Sequence, residues 1–94
     1  MTWATVVDAA FKIKVKEPAV VEKILEEAEE VFECKIEYDE SMDTFFLYNM
    51  SWMSHVTKER IDRFIKKYRE LIEEFDADLY MLTAPHASWK IKNN

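Results

Sequence analysis

Between Ala10 and Lys16 apolar and basic residues alternate strictly, with Phe11, Ile13 and Val15 on one side and Lys12, Lys14 and Lys16 on the other. A period of two is that of a half-buried strand, and the pattern extends backward through Trp3 to Val7. Pro18, tolerated at a first helical position, then opens a segment in which Val20, Val21, Ile24, Leu25, Ala28, Val31 and Phe32 mark one helical face. That helix is expected to end near Glu33. Cys34, Ile36 and Tyr38 alternate with Lys35, Glu37 and Asp39 as a short strand, Asp39 to Asp43 forms a polar turn, and Thr44 to about Met53 completes a hairpin. Thr57 is placed to cap a second helix, with Val56 and Ile61 as a hydrophobic staple. Its predicted buried stripe is Ile61, Phe64, Ile65, Tyr68, Leu71, Ile72 and Phe75. Asp76-Ala77-Asp78 reads as the break after that helix and Leu79 to Thr83 as the last core strand. Ser88 to Lys92 reads as a short edge strand or a tail that folds back.

The order β-α-β-β-α-β predicts an α+β domain over residues 1–94, a ferredoxin-like sandwich. Two helices would cover one face of a four-stranded antiparallel sheet, with strands one and three in the middle and a possible short extra strand at the C-terminus.

In such a fold the sheet face without helices should be polar. The third strand breaks that rule. Phe45 and Leu47 point one way and Phe46, Tyr48, Met50 and Trp52 the other, so whichever set lies beneath the helices, large apolar groups remain on the bare face. Tyr48 and Trp52 are the favoured outward pair, because each carries a polar atom suited to a partly wet contact, although Asn49 and Ser51 then turn toward the helices. Tyr80 and Leu82 would extend the patch if their register allows. Two readings of the patch stand: a contact surface, most simply for a second copy of the chain, or a hairpin end tucked under the C-terminal tail around Trp89.

Composition narrows the chemistry. The 94 residues contain no glycine, where average usage would give about six or seven. Phosphate-cradling loops, dinucleotide fingerprints, nucleophile elbows and EF-hand loops all need it and are excluded. A single cysteine, Cys34, rules out an internal disulfide and is expected to be a buried, inert thiol. No apolar run approaches the roughly 20 residues of a membrane span, which makes a cytoplasmic protein the default. His55 and His86 stand far apart with no ligand motif around them, so no metal or other cofactor is predicted, and His86 is expected in an exposed loop.

Charge is unevenly spread. Residues 17–40 hold ten acids and two lysines, a balance of −8, while the remainder of the chain carries +2, for a net −6. Glu22, Glu26 and Glu30 follow one another at i, i+4, as do Glu29 and Glu33; like charges at that spacing cost a few tenths of a kcal/mol per pair. The first helix therefore presents either a solubilising face or an acidic docking surface. The second helix answers with Lys58, Arg60, Arg63, Lys66, Lys67 and Arg69. An RNA-binding sheet could use Tyr48, Trp52 and the lysines of the first strand, but the net negative charge would repel phosphates, and nucleic acid is not the expected partner.

The segment from Asp43 through Tyr48, Trp52 and His55 into the second helix resembles dimeric α+β barrel proteins of the antibiotic-monooxygenase type. The resemblance covers about half of the chain. It implies a small homodimer in which Asn49, Trp52 and His55 oxidise an aromatic substrate or degrade haem. The chain departs from the pattern in lacking the glycine before the second strand and in the shorter Trp52–His55 spacing.

The residues together point first to a non-enzymatic, protein-binding regulator or inhibitor. Such a protein occupies a surface of a larger partner, as an anti-defence (anti-CRISPR-type) protein of a phage or mobile element does, and is expected to form a homodimer. The predicted partner-binding residues are Tyr48, Met50 and Trp52 on the sheet and Glu22, Glu26, Glu29 and Glu30 on the first helix.

Overall fold

The strand predicted from alternation near the N-terminus forms β1, Ala4–Ile13, and it organises the rest of the sheet. The computed structural model describes residues 4–52, 55–81 and 84–93. After β1 come α1 (Pro18–Phe32), β2 (Glu37–Asp39), β3 (Thr44–Trp52), α2 (Lys58–Tyr68), a 3₁₀ turn at Arg69–Leu71, β4 (Ile72–Met81) and β5 (Ala84–Lys92). The sheet runs β2-β3-β1-β4-β5 with every neighbouring pair antiparallel. The chain is thus an α+β protein with five strands and two helices. The four-stranded expectation is corrected: the C-terminal segment is a full nine-residue edge strand, because β4 offers it a free edge and Trp89 an anchor.

Both helices sit on one face of the sheet. Thr5, Val7, Ala9, Phe11 and Ile13 of β1 are buried beneath them, and so are Leu47 of β3 and Phe75, Ala77 and Leu79 of β4. Ile24, Ala28 and Phe32 descend from α1 and Ile61, Phe64, Ile65 and Tyr68 from α2. Aromatic rings tie the layers together: Phe32 meets Phe64 edge-on at 5.9 Å, and Phe75 lies within 6.4 Å of Phe11, Phe32 and Phe64.

Helix ends follow local chemistry. Pro18 opens α1, and the Thr57 hydroxyl accepts from the Arg60 N–H at 3.2 Å to cap α2, with Val56 and Ile61 buried as the staple predicts. Without glycine, the left-handed turn that ends α1 falls to Glu33 (φ 54°), and the hairpin turn uses Asp43 (φ 49°).

The second helix ends at Tyr68, seven residues before Phe75, the last member of its predicted stripe. Ile72 and Phe75 belong to β4. They share a face at a spacing of three because a β-bulge intervenes: Ile13 pairs with Ile72 and Lys12 with Glu74, leaving Glu73 as the extra residue. The Glu73 carbonyl then accepts from the Asn93 N–H at 2.7 Å. Asp76-Ala77-Asp78, expected as a break, is mid-strand; Ala77 is buried under the helices and both carboxylates face the other way. The second strand is also shorter than its alternation predicts, three residues rather than six.

Candidate functional site

The sheet face opposite the helices is built from the even-numbered positions of β1 and β3, and the register lays them out in rows. Phe46 lies opposite Ala10, Tyr48 opposite Asp8, and Met50 opposite Val6. On the other side of β1, Asp76 is paired with Ala10, Asp78 with Asp8 and Tyr80 with Val6. Lys90, Ser88 and His86 of β5 border β4. Tyr48 is 64% exposed, Met50 65% and Tyr80 48%, while Phe46, Val6 and Ala10 are half-buried. Of the two sets on β3, the one containing Tyr48 and Met50 is the uncovered one. Trp52 pairs with Ala4 through its backbone, but its side chain lies outside the described residues, as do Trp3, Met53, Leu82 and Thr83.

Asn49 faces the helices and its amide is committed there, donating to the Phe32 and Glu33 carbonyls at 3.1 and 3.2 Å. It thereby satisfies the last carbonyls of α1 and holds the C-terminal end of that helix above β3. The tail around Trp89 does not cover the β3 aromatics. Trp89 points to the helix side, where its indole N–H donates to Asp62 at 2.7 Å.

Near one end of the bare face a shallow hollow of about 510 Å³ opens above Ala10, walled by Phe46 and Thr44 on one side and by Asp76, Lys90 and Lys92 on the other. At the far end the His86 ring stacks on Tyr80 with centroids 4.2 Å apart, and its Nε2 lies 2.8 Å from Asp78. His86 is exposed as expected, but in β5 rather than in a loop. Asp8 and Asp78 stand directly across from each other, an arrangement that mildly opposes the pairing of their strands.

Glu22, Glu26, Glu29 and Glu30 are all exposed on α1. Glu27 of α1 and Glu33 just past its end are used within the chain. Glu27 pairs with Lys67, and Glu33 with Arg60 at 3.4 Å, so part of the basic stripe on α2 is consumed in joining the helices. The hydrogen bond and charge of Lys67 hold Glu27 below the usual carboxylate range. Arg60 also donates to the carbonyls of His55 and Glu30, and the His55 N–H donates to Glu33 at 2.9 Å; His55 is a loop residue locked by its backbone. Asn49 and His55 therefore serve the α1 terminus. Cys34 is half-buried rather than sealed, and burial together with the Glu29 charge pushes its thiol up, away from the thiolate form. Among the described residues no group of three or more His, Cys, Asp or Glu converges as a metal site, and no helix is long and apolar enough to cross a membrane.

Tyr80 joins this face as its register allows, whereas Asp8, Asp78 and His86 are members that the sequence pattern does not single out. The signal was present in the alternation from Glu74 to Tyr80, but it was masked by reading Asp-Ala-Asp as a break. Comparisons with protein-family models, with curated proteins and with solved structures find no match to this chain.

Proposed function

We propose that this chain is a non-enzymatic protein-binding regulator, assembled as a homodimer through its helix-free sheet face and docking on a larger protein through the acidic side of α1. We read the sheet as a ferredoxin-like arrangement extended by β5. The observation that carries the proposal is the uncovered row Phe46, Tyr48 and Met50, apolar side chains on a face that a solitary α+β domain keeps polar.

Charge favours a second copy seated on that face over one paired along the β3 edge. β3 carries no charged residue, so the row that a second copy would cover adds no like charge to the contact despite the net charge of −6. Edge pairing through β3 would place two α1 helices side by side, because α1 ends above β3. Face-to-face packing instead puts the exposed glutamates of the two copies on opposite outer surfaces, where they are presented to a basic partner. RNA is disfavoured because Asp8, Asp76 and Asp78 occupy the middle of the face on which bases would stack. The commitment of the Asn49 amide to α1 weighs against the monooxygenase role that the resemblance implies.

Light scattering across a concentration series tests the assembly. The wild type is expected to run as a dimer, and Tyr48→Glu with Met50→Glu to weaken it by about 2 kcal/mol or more, roughly thirtyfold in Kd, by placing unpaired carboxylates in the contact. Replacing Glu22, Glu26, Glu29 and Glu30 by Gln should leave the dimer intact and abolish capture of a basic partner. A wild-type chain that stays monomeric at every concentration refutes the assembly.

A further inference from the structure

The relief of the helix-free face fixes how two copies can fit, an inference that rests on the homodimer reading above. In three successive rows β3 contributes the larger side chain and β1 the shorter one: Phe46 beside Ala10, Tyr48 beside Asp8, Met50 beside Val6. β3 is therefore a ridge, with Tyr48 and Met50 about two-thirds exposed, and β1 is a trough running alongside it. The hollow above Ala10 is that trough at one end, bounded by Phe46 and by Asp76 and Lys90. A ridge and a trough of equal length, adjacent and parallel, become complementary to themselves under a half-turn about an axis that runs along the strands between them. Aligned packing of two sheets, within about 30° of parallel, permits that operation.

We infer that this is the dimer axis, lying between β1 and β3, and that each copy's β3 ridge seats in the β1 trough of the other. Phe46 enters the hollow over the second copy's Ala10, Met50 packs on its Val6, and the Tyr48 hydroxyl donates to its Asp8 carboxylate. The last contact accounts for Asp8, which is exposed, opposes Asp78 and forms no ion pair among the described residues. A carboxylate in the middle of a contact needs a donor, and Tyr48 is the side chain the half-turn brings to it. The same operation turns Glu37 toward the second copy's Asp76 at the rim, where the twist of both sheets widens the gap.

Complementation tests the arrangement. Ala10→Trp fills the trough and Phe46→Ala cuts the ridge, so each alone should raise the dimer Kd roughly tenfold or more. Mixed in equal amounts they should form a heterodimer close to wild-type affinity, seen by native mass spectrometry, since the added bulk of one chain meets the gap in the other. Asp8→Lys mixed with Tyr48→Glu repeats the swap at two exposed positions, and circular dichroism checks that every variant folds. Heterodimers from both pairs support the ridge-in-trough geometry. Weakened variants that do not rescue each other, or single variants that dimerise as well as wild type, overturn it while leaving the homodimer in place. A monomeric wild type overturns the underlying reading instead.

Discussion

Asp43 occupies the left-handed region that a Cβ makes costly, by about 1 kcal/mol or more, and in a chain without glycine the side chain must offset that cost. It does so twice. Its carboxylate accepts from the Tyr38 hydroxyl at 2.6 Å and lies 3.7 Å from the Lys16 ammonium, which together hold it below the usual range. Asp43→Ala loses both contacts and keeps the backbone cost, whereas Asp43→Gly loses the contacts and removes the cost. Chemical denaturation should therefore find the alanine variant less stable than the glycine variant by about 1 kcal/mol. Equal stabilities would show that the turn is unstrained. Glu33 solves the same problem at the end of α1, where its carboxylate reaches the His55 N–H and Arg60. Neither left-handed position could be read in advance, since glycine is the usual sign of one and neither residue is glycine.

At the scale of elements, β5 shows how an edge strand is held by something other than its pairing. Ala87, Trp89 and Ile91 turn toward the core, and the Trp89 indole crosses to Asp62 on α2, a carboxylate kept low chiefly by that hydrogen bond and also by Lys58. Trp89→Phe keeps an aromatic ring but removes the donor and part of the indole's bulk, at an expected cost of about 1.5 kcal/mol or more for the lost bond to a charged acceptor. Hydrogen exchange should then quicken in β5 and leave β1 and α1 unchanged. Uniform quickening across the sheet would mean that β5 is part of the global folding unit. β5 also carries Lys90 and Lys92, charged side chains of the kind that discourage a further strand.

For the whole molecule, pH reads the ion pairs together. Glu27, Asp39, Asp43 and Asp62 all titrate below their ordinary values in the folded state. Groups depressed on folding contribute stability that is fully present above their unfolded values and is lost as pH falls through the folded ones. The denaturation midpoint should accordingly hold near neutral pH and drop once the pH passes below about 4. On the alkaline side Lys67 is raised by Glu27, and Tyr38 and Tyr68 are raised by hydrogen bonding and burial respectively, so stability should fall again as pH climbs past about 10. A midpoint unchanged between neutral and strongly acid solution would show that these contacts do not persist in water.

Much of this protein is decided by local pattern. The helical stripe of α1 with Pro18 at its start and the Thr57 cap with its staple need only neighbours in the chain and form where those neighbours put them, while the period of two in β1 forms a strand that ends at Ile13, three residues short of Lys16. The presence of large apolar groups on the bare face was legible for the same reason, because a strand that is apolar on both sides must expose one of them. Tertiary structure decided what depends on partners distant in sequence. Opposite β1, a bulge at Glu73 turned an apparent helical spacing into strand, and Asp76 and Asp78 became face residues because β4 had both β1 and β5 to pair with. It also chose which side of β3 stays open, through the reach of Asn49 to α1, and set Tyr48 beside Asp8 and His86 beside Asp78. Periodicity records which residues share a face, but only the pairing of strands records which faces meet.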